Sequence, residues 1–368
     1  MRLAFDVRPL QYPGLNRGIG RYTLEMAQVL AARDGLELYL LAEPQEPLPE
    51  CLRGLPRLAA STRRPPIRQL GCLWDEFQGA RWSRFPVDLI HVTSAFDLNF
   101  GWPLKCRIPQ ILTIYDLFSV QHGLPGWRRL GAPLYRWLAY KTAFAQHLVC
   151  ISQTTEASLR AWLGRRCPAT SSAPLGVSQL EVEPWLERPP GEYLMLFPCW
   201  PAHKNVEAVV AALSPMGQQA PPLVLAGGLP EAARQRIQLR AGELRLRWTG
   251  PVTESELIDL YLGSRGLVFP SLHEGFGLTI LEAQRCGVPV AVSNRGPMNE
   301  VVPQADQTFD PLDPEAIRQA CLKLWNESRL LSKRRQALEF SRQFSWQATA
   351  EKTVQAYQSV LSACRGRV

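Results

Sequence analysis

Two series of short apolar runs, each run separated from the next by a stretch of helical periodicity, restrict this chain to one class of fold. In the first series, residues 3–7, 36–41, 87–92, 110–115 and 147–151 read as strands, with residues 20–32, 135–146 and 154–163 as the clearer helices among them. In the second, residues 193–197, 223–225, 244–248, 266–270 and 289–293 read as strands, and residues 206–213, 231–239, 254–262 and 278–286 as helices. Apolar strands alternating with helices belong in mostly parallel sheets covered on both faces. Residues 174–191 divide the series, because prolines at 174, 184, 189 and 190 resist both helix and strand. The expectation is an α/β chain of two parallel-sheet domains, which suits a length of 368 residues. Ligands of such sheets bind beyond the carboxyl ends of the strands, here in a cleft between the domains. Residues 43–86, rich in Pro and Arg, read as a mobile or substrate-facing excursion, and the chain after Pro314 is nearly all helical in pattern.

Charge is distributed unevenly. Of the net +8, all comes from residues 1–180, which hold 21 Lys and Arg against 13 Asp and Glu, while residues 181–368 hold 20 of each. Basic residues in the first half accompany apolar or aromatic ones, as in Arg63-Arg64-Pro65-Pro66-Ile67-Arg68, Arg81-Trp82-Ser83-Arg84-Phe85, Trp127-Arg128-Arg129-Leu130 and Tyr135-Arg136-Trp137. Such patches suit peripheral contact with an anionic membrane or a phosphorylated lipid, and equally a solvated basic face over buried tryptophans. No nucleic-acid module accompanies the charge, so nucleic acid is not an expected partner. The sequence has no run of about 18 apolar residues and its amino end enters a strand pattern at once, so the expectation is a cytoplasmic protein, for which the first of those two readings of the basic patches would add peripheral contact at the inner face of the plasma membrane. Nine cysteines without a close CxxC pair read as buried thiols in a reducing compartment.

Three segments carry the chemistry. Pro270-Ser271-Leu272-His273-Glu274-Gly275-Phe276-Gly277-Leu278-Thr279-Ile280-Leu281-Glu282-Ala283 follows a strand and opens a helix. Its glycines permit a tight turn, and the first amides of the helix, lacking intrahelical partners, can hold phosphate oxygens. Glu274 lies before the turn, facing a reacting group, and Glu282 lies inside the helix, within reach of hydroxyls farther along a bound donor. The second segment, residues 194–205, ends in His203-Lys204-Asn205 at another strand-to-helix junction. A lysine at the start of a helix opposes the helix dipole, and becomes reasonable where it neutralises a bound diphosphate. The third, Asn16-Arg17-Gly18-Ile19-Gly20-Arg21-Tyr22, offers a close turn before a helix but lacks the GxGxxG dinucleotide fingerprint. It can close over donor phosphates or acceptor, or serve only as a strand-to-helix turn.

With these segments in view, the chain resembles the retaining glycosyltransferases of family 4 (GT4), which have the GT-B architecture and include bacterial mannosyltransferases of surface polysaccharide synthesis. The likeness rests on Gly18-Ile19-Gly20-Arg21-Tyr22, Thr113-Ile114-Tyr115-Asp116-Leu117, Ser152-Gln153-Thr154-Thr155, His203-Lys204-Asn205 and above all residues 270–290. It implies two Rossmann-like domains: an acceptor-binding domain at residues 1–180, a nucleotide-sugar-binding domain at 191–345, and a last helix, 346–368, that returns to the first domain. It implies that Glu274 and Glu282 form the E-x7-E pair, the first near the transferred sugar and the second on the ribose hydroxyls. Lys204, with His203 beside it, would meet the donor diphosphate; backbone near Gly250 and Val252 would read the base; Phe276, Gly277, Leu278 and Thr279 would contact sugar and phosphates; Gly18 and Gly20 would reach the donor from the opposite domain. Asp116 would orient the acceptor. Three positions depart from the family: His203 where many relatives have Arg, Tyr115 where many have His, and Asn299 where Pro is common.

The expected reaction is transfer of a hexose, mannose or glucose, from a nucleoside diphosphate sugar such as GDP-mannose or UDP-glucose to a hydroxyl, with retention at the anomeric carbon. The expected acceptor is a lipid-linked or oligosaccharide precursor of surface polysaccharide. No cofactor is implied, and no metal, since the sequence holds no DxD-like cluster after a strand to bridge a cation and diphosphate. A nucleotide-sugar 2-epimerase and a non-catalytic sugar-nucleotide-binding assembly protein remain as alternatives of similar architecture.

Overall fold

The computed structural model describes all residues except 13–17, 62–70, 97, 98, 100, 122–131, 178–185, 199–201, 367 and 368. The chain divides into two compact units, residues 1–176 together with 346–368, and residues 177–345. The basic stretches at 63–68 and 127–130, the residues Asn16 and Arg17, and Pro184 lie outside the described residues.

In the first unit seven strands form one parallel sheet: β1 (Arg2–Asp6), β2 (Glu37–Ala42), β3 (Arg57–Ala59), β4 (Leu89–Val92), β5 (Gln110–Ile114), β6 (His147–Cys150) and β7 (Ala169–Ser172), in the spatial order β3-β2-β1-β4-β5-β6-β7. Strands β4, β5 and β6 are buried at every position, as central parallel strands covered on both faces must be. The edges differ. Strand β3 arises inside the segment read from the sequence as an irregular excursion, and β7 reads Ala-Thr-Ser-Ser, half-buried and polar, so neither shows the apolar run that marks an interior strand. The excursion also contains helical turns at Gly71–Trp74, Asp75–Gln78 and Gly79–Trp82. They carry Trp82 into the core: its ring is fully buried, its Nε1 donates to the Ala60 carbonyl at 2.9 Å, and it stacks on Phe85. Trp82 is therefore a packing residue and no part of an aromatic surface patch.

Directly beyond β1, the Arg8 guanidinium is buried in a network of its own. It donates to Asp6 through Nε at 2.9 Å and Nη2 at 2.8 Å, to Asp75 through Nη1 at 2.6 Å, and to the Gly101 carbonyl through Nη2 at 2.7 Å. The Gly101 amide donates back to Asp75 at 2.7 Å, so one charged cluster ties β1 to two connecting segments.

The helix Trp346–Arg365 belongs to this unit, although 169 residues of the second unit separate it from the rest. Tyr357 reaches β4, its hydroxyl 2.5 Å from His91 Nδ1. His91 Nε2 meets Thr113 Oγ1 on β5 at 2.8 Å, and Thr113 Oγ1 meets the Tyr22 hydroxyl at 2.9 Å. Burial holds the His91 imidazole neutral, lowering its pKa to about 3. The unfolded chain takes up this proton near pH 6.5 and the folded chain does not, so the stabilisation is complete above that pH and declines as pH falls toward 3. Denaturant unfolding of the wild type is expected to lose stability by up to about 1.4 kcal/mol per pH unit from this group below pH 6.5. His91→Gln should start less stable and show a shallower acid slope; an unchanged slope would assign the acid sensitivity to other groups.

In the second unit six strands form a second parallel sheet: β8 (Leu194–Leu196), β9 (Leu223–Ala226), β10 (Leu246–Gly250), β11 (Gly266–Phe269), β12 (Val290–Ser293) and β13 (Thr308–Phe309), in the order β10-β9-β8-β11-β12-β13. Helices Val206–Leu213, Glu231–Ala241 and Pro314–Trp325 pack on it through Val209, Val210, Leu213, Ile237, Ile317 and Cys321. Four of the eight described cysteines are buried, while Cys51 is exposed, so the expectation of buried thiols holds only for Cys72, Cys150, Cys286 and Cys321. Among the described residues no helix is long and apolar enough to cross a membrane.

Candidate functional site

Beyond the carboxyl ends of β8 and β11 the second unit brings two of the sequence's three segments together. Lys204 Nζ lies 2.7 Å from Glu274 Oε1, and both side chains are mostly buried. The ammonium also sits over the Phe269 ring, 4.4 Å from its centroid, where the ring face favours a cation. Lys204 is aimed there by an unusual residue: Asn205, in the left-handed region at φ 53°, turns the chain into the helix Val206–Leu213, and its Nδ2 donates to the Pro311 carbonyl at 2.8 Å. Asparagine tolerates this conformation better than most side chains.

Glu274 is fixed by a residue to which the sequence reading gave no role. Ser271, fully buried at the end of β11, donates from Oγ to Glu274 Oε1 at 2.6 Å. The carbonyl of His203 accepts from the Leu272 amide at 2.8 Å and lies 3.2 Å from Ser271 Oγ, which fastens the loop after β8 to the loop after β11. The only sequence signal for Ser271 is its position three residues before the glutamate.

Gly277 makes the turn from this loop into the helix Leu278–Arg285. Its φ is 109°, which demands glycine, and a Cβ there would also press on the Ile280 and Val301 side chains at 3.1 Å. No acidic residue lies in the first turn of that helix, so its positive end is uncompensated by its own sequence. Leu278 and Thr279 occupy that turn, and Glu282 lies one turn further on, partly exposed. Phe276 behaves differently from its neighbours: its ring is 2% exposed and packs against Phe344, so what it offers a ligand is backbone. On β10, Gly250 takes φ 70°, and its carbonyl accepts from the Gly227 amide at 3.0 Å; Val252 follows in the next loop.

The remaining candidates belong to the first unit. Gly18 and Gly20 stand inside the helix Gly18–Ala31 and not in a loop before it, and the space beside Gly18 is open. Asp116, just after β5, is exposed and its Oδ1 accepts from the Phe118 amide at 2.9 Å. Tyr115 packs edge-on against Tyr22 with its phenol buried, and burial pushes the phenol pKa well above its ordinary value. Among the described residues no three His, Cys, Asp or Glu side chains are grouped to hold a metal ion.

Two family models match the chain, one described as Glycosyltransferase Family 4 over residues 16–173 and one as Glycosyl transferases group 1 over residues 195–327. The chain belongs to glycosyltransferase family 4. Its relatives include the serotype-specific mannosyltransferase WbdA of Escherichia coli, 36% identical over 184 residues, a match of 47% of this chain and 22% of that protein. A D-inositol 3-phosphate glycosyltransferase of Salinispora tropica aligns with 100% of this chain and 86% of its own length at 26% identity. The chain thus spans about a fifth of the mannosyltransferase's length. Among solved structures, sucrose-phosphate synthase from Thermosynechococcus elongatus superposes with a TM-score of 0.72 over 99% of this chain and 100% of that one at 20% identity. HepE from Anabaena in complex with UDP-glucose gives a TM-score of 0.68 over 98% of this chain and 100% of that one at 17% identity. These likenesses establish that family 4's two-domain GT-B fold is the fold of this chain.

Proposed function

We propose that the protein is a retaining hexosyltransferase that moves mannose or glucose from a nucleoside diphosphate sugar to a hydroxyl on a lipid-linked or oligosaccharide precursor of surface polysaccharide. The observation that carries this reading is the Lys204–Glu274 pair, 2.7 Å apart, beside the uncompensated amino end of the helix Leu278–Arg285. A diphosphate placed there would receive the Lys204 ammonium and the first-turn amides, while Glu274 stays next to the sugar bonded to it. Glu282 is one turn along for the ribose hydroxyls, and Gly250 and Val252 border the place for the base. The mannosyltransferase relatives and the UDP-glucose complex of HepE support a hexose donor with either of these two sugars.

In the proposed reaction the bond between the anomeric carbon and the β-phosphate oxygen breaks, its electron pair leaving with the diphosphate. The acceptor hydroxyl forms the new bond on the same face, and its proton passes to the departing phosphate oxygen. Lys204 and the helix amides stabilise the negative charge that develops on the leaving group, an effect of several kcal/mol where donors are fixed in advance. Glu274 stabilises the positive charge that develops on the ring.

The test is a panel of GDP-, UDP-, ADP- and dTDP-sugars with lipid-linked and soluble acceptors, with nucleoside diphosphate release and product configuration read together. One donor should give acceptor-dependent release, a retained anomeric configuration and turnover that persists in chelator. Conversion of the nucleotide sugar without acceptor would support the epimerase reading, and binding without any turnover would support the assembly protein.

A further inference from the structure

Six of the nine exposed large apolar side chains among the described residues fall between positions 73 and 144: Leu73, Phe77, Leu104, Trp137, Tyr140 and Phe144. Single exposed apolar residues are ordinary, and a contiguous set is not. Phe77 is 82% exposed and Phe144 69%, so both rings stand out from the surface.

The geometry joins them. In the helical turns from residue 71 to residue 82, Leu73 and Phe77 are spaced i, i+4 with Glu76 beside them. Along the helix Ala132–Lys141 and the turn Thr142–Phe144, residues 137, 140, 141 and 144 fall within one side, while Leu138 and Ala139 face the core. Glu76 links the two segments: its carboxylate pairs with the buried Lys141 ammonium and accepts from the Leu104 amide at 3.2 Å. Lys141 in turn donates to the Trp102 carbonyl and lies 5.1 Å from the Trp137 ring centroid. The apolar residues of both segments therefore flank a single ion pair.

The rim of this face is cationic. Arg84, Lys105, Arg107 and Arg136 are exposed, and the Arg107 amide donates to Ser83 Oγ at 2.9 Å, which ties the backbone at Arg107 to the residue before Arg84. Among the described residues the acids of these segments are engaged, Asp75 with Arg8, Glu76 with Lys141 and Asp88 with Arg2. Protruding rings surrounded by unneutralised cations suit an interface whose apolar layer lies beneath a layer of negative charge.

We propose that this face of the first unit rests on an anionic bilayer, with Phe77, Trp137 and Phe144 entering the interfacial layer and Arg84, Lys105, Arg107 and Arg136 meeting lipid phosphates. The proposal uses no residue of the Lys204–Glu274 pair, and its test reads binding alone, so it stands or fails apart from the transfer reading.

The full chain is sedimented with vesicles of phosphatidylcholine, and with vesicles in which about a third of the lipid is phosphatidylglycerol. Wild type should partition onto the anionic vesicles only, and high salt should release it. The double variant Phe77→Ser, Phe144→Ser should bind those vesicles at least about tenfold more weakly with an unchanged melting temperature, because both rings are exposed. The proposal is overturned if wild type ignores the anionic vesicles or if the double variant binds them as wild type does. It is also overturned if light scattering shows that the two substitutions dissociate a dimer of this chain that does not bind vesicles.

Discussion

Glu274→Gln is expected to lower kcat by about 10²–10³-fold while leaving the dissociation constant for the nucleoside diphosphate within about threefold of wild type. The substitution is nearly isosteric, so the amide oxygen can still accept from Ser271 Oγ, which lies 2.6 Å from Glu274 Oε1 in the wild type. In the proposed reaction, what it removes is the negative charge beside the transferred sugar. Lys204, 2.7 Å away, also loses its counter-ion and stays available to the diphosphate, so ground-state binding has no reason to weaken. The loss therefore falls on the step in which positive charge grows on the sugar ring. Calorimetric titration with nucleoside diphosphate, alongside turnover with the donor found in the panel, separates the two quantities. Undiminished turnover would remove Glu274 from the reaction, and a matching loss of binding would make it a ground-state contact.

Arg8→Met is expected to destabilise the first unit by about 3–5 kcal/mol, because it strands the buried Asp6 and Asp75 carboxylates without a cation. Burial opposes the Arg8 charge, but Asp6 and Asp75 outweigh it and hold the guanidinium pKa well above arginine's usual value. Burial likewise raises the Asp75 pKa against the pull of Arg8. Changing all three, as Asp6→Asn, Arg8→Met and Asp75→Asn, should recover much of the loss, since an uncharged cluster carries no stranded charge. Denaturant unfolding followed by tryptophan fluorescence checks this, and Trp82 lies beside the cluster as one of the reporters in the first unit. A single variant within about 1 kcal/mol of wild type would mean that water reaches the carboxylates and the network holds little together.

The interior of each sheet was legible because its strands are continuous apolar runs: β4, β5, β6, β8, β9, β11 and β12 all fall on segments read from the sequence. The edges were not. Strand β13 has two residues, and β3 and β7 are short and half-buried, so pairing to a neighbour and not side-chain character makes them strands. The helical turns at residues 71–82 were hidden for another reason: aromatic and basic residues at mixed spacing look like a surface, yet Trp82 points inward while Phe77 points outward. At the site, the glycines and the misplaced lysine marked two loop-to-helix junctions, because each breaks a local preference that a ligand would justify. The bond from Ser271 to Glu274 and the carbonyl of His203 that fastens the two loops had no such mark. Hydrogen bonds between residues 68 positions apart leave nothing in local periodicity.

The partnership of Tyr357 with His91, 266 positions earlier, also bears on how the molecule is made. A nascent chain emerging amino end first carries His91 and Thr113 in an unfinished interior while the whole second unit is being synthesised. The second unit lies wholly within residues 177–345, whereas the first, although all seven of its strands are made early, lacks the helix Trp346–Arg365 until the end. The later-made half is therefore free to reach its final packing first.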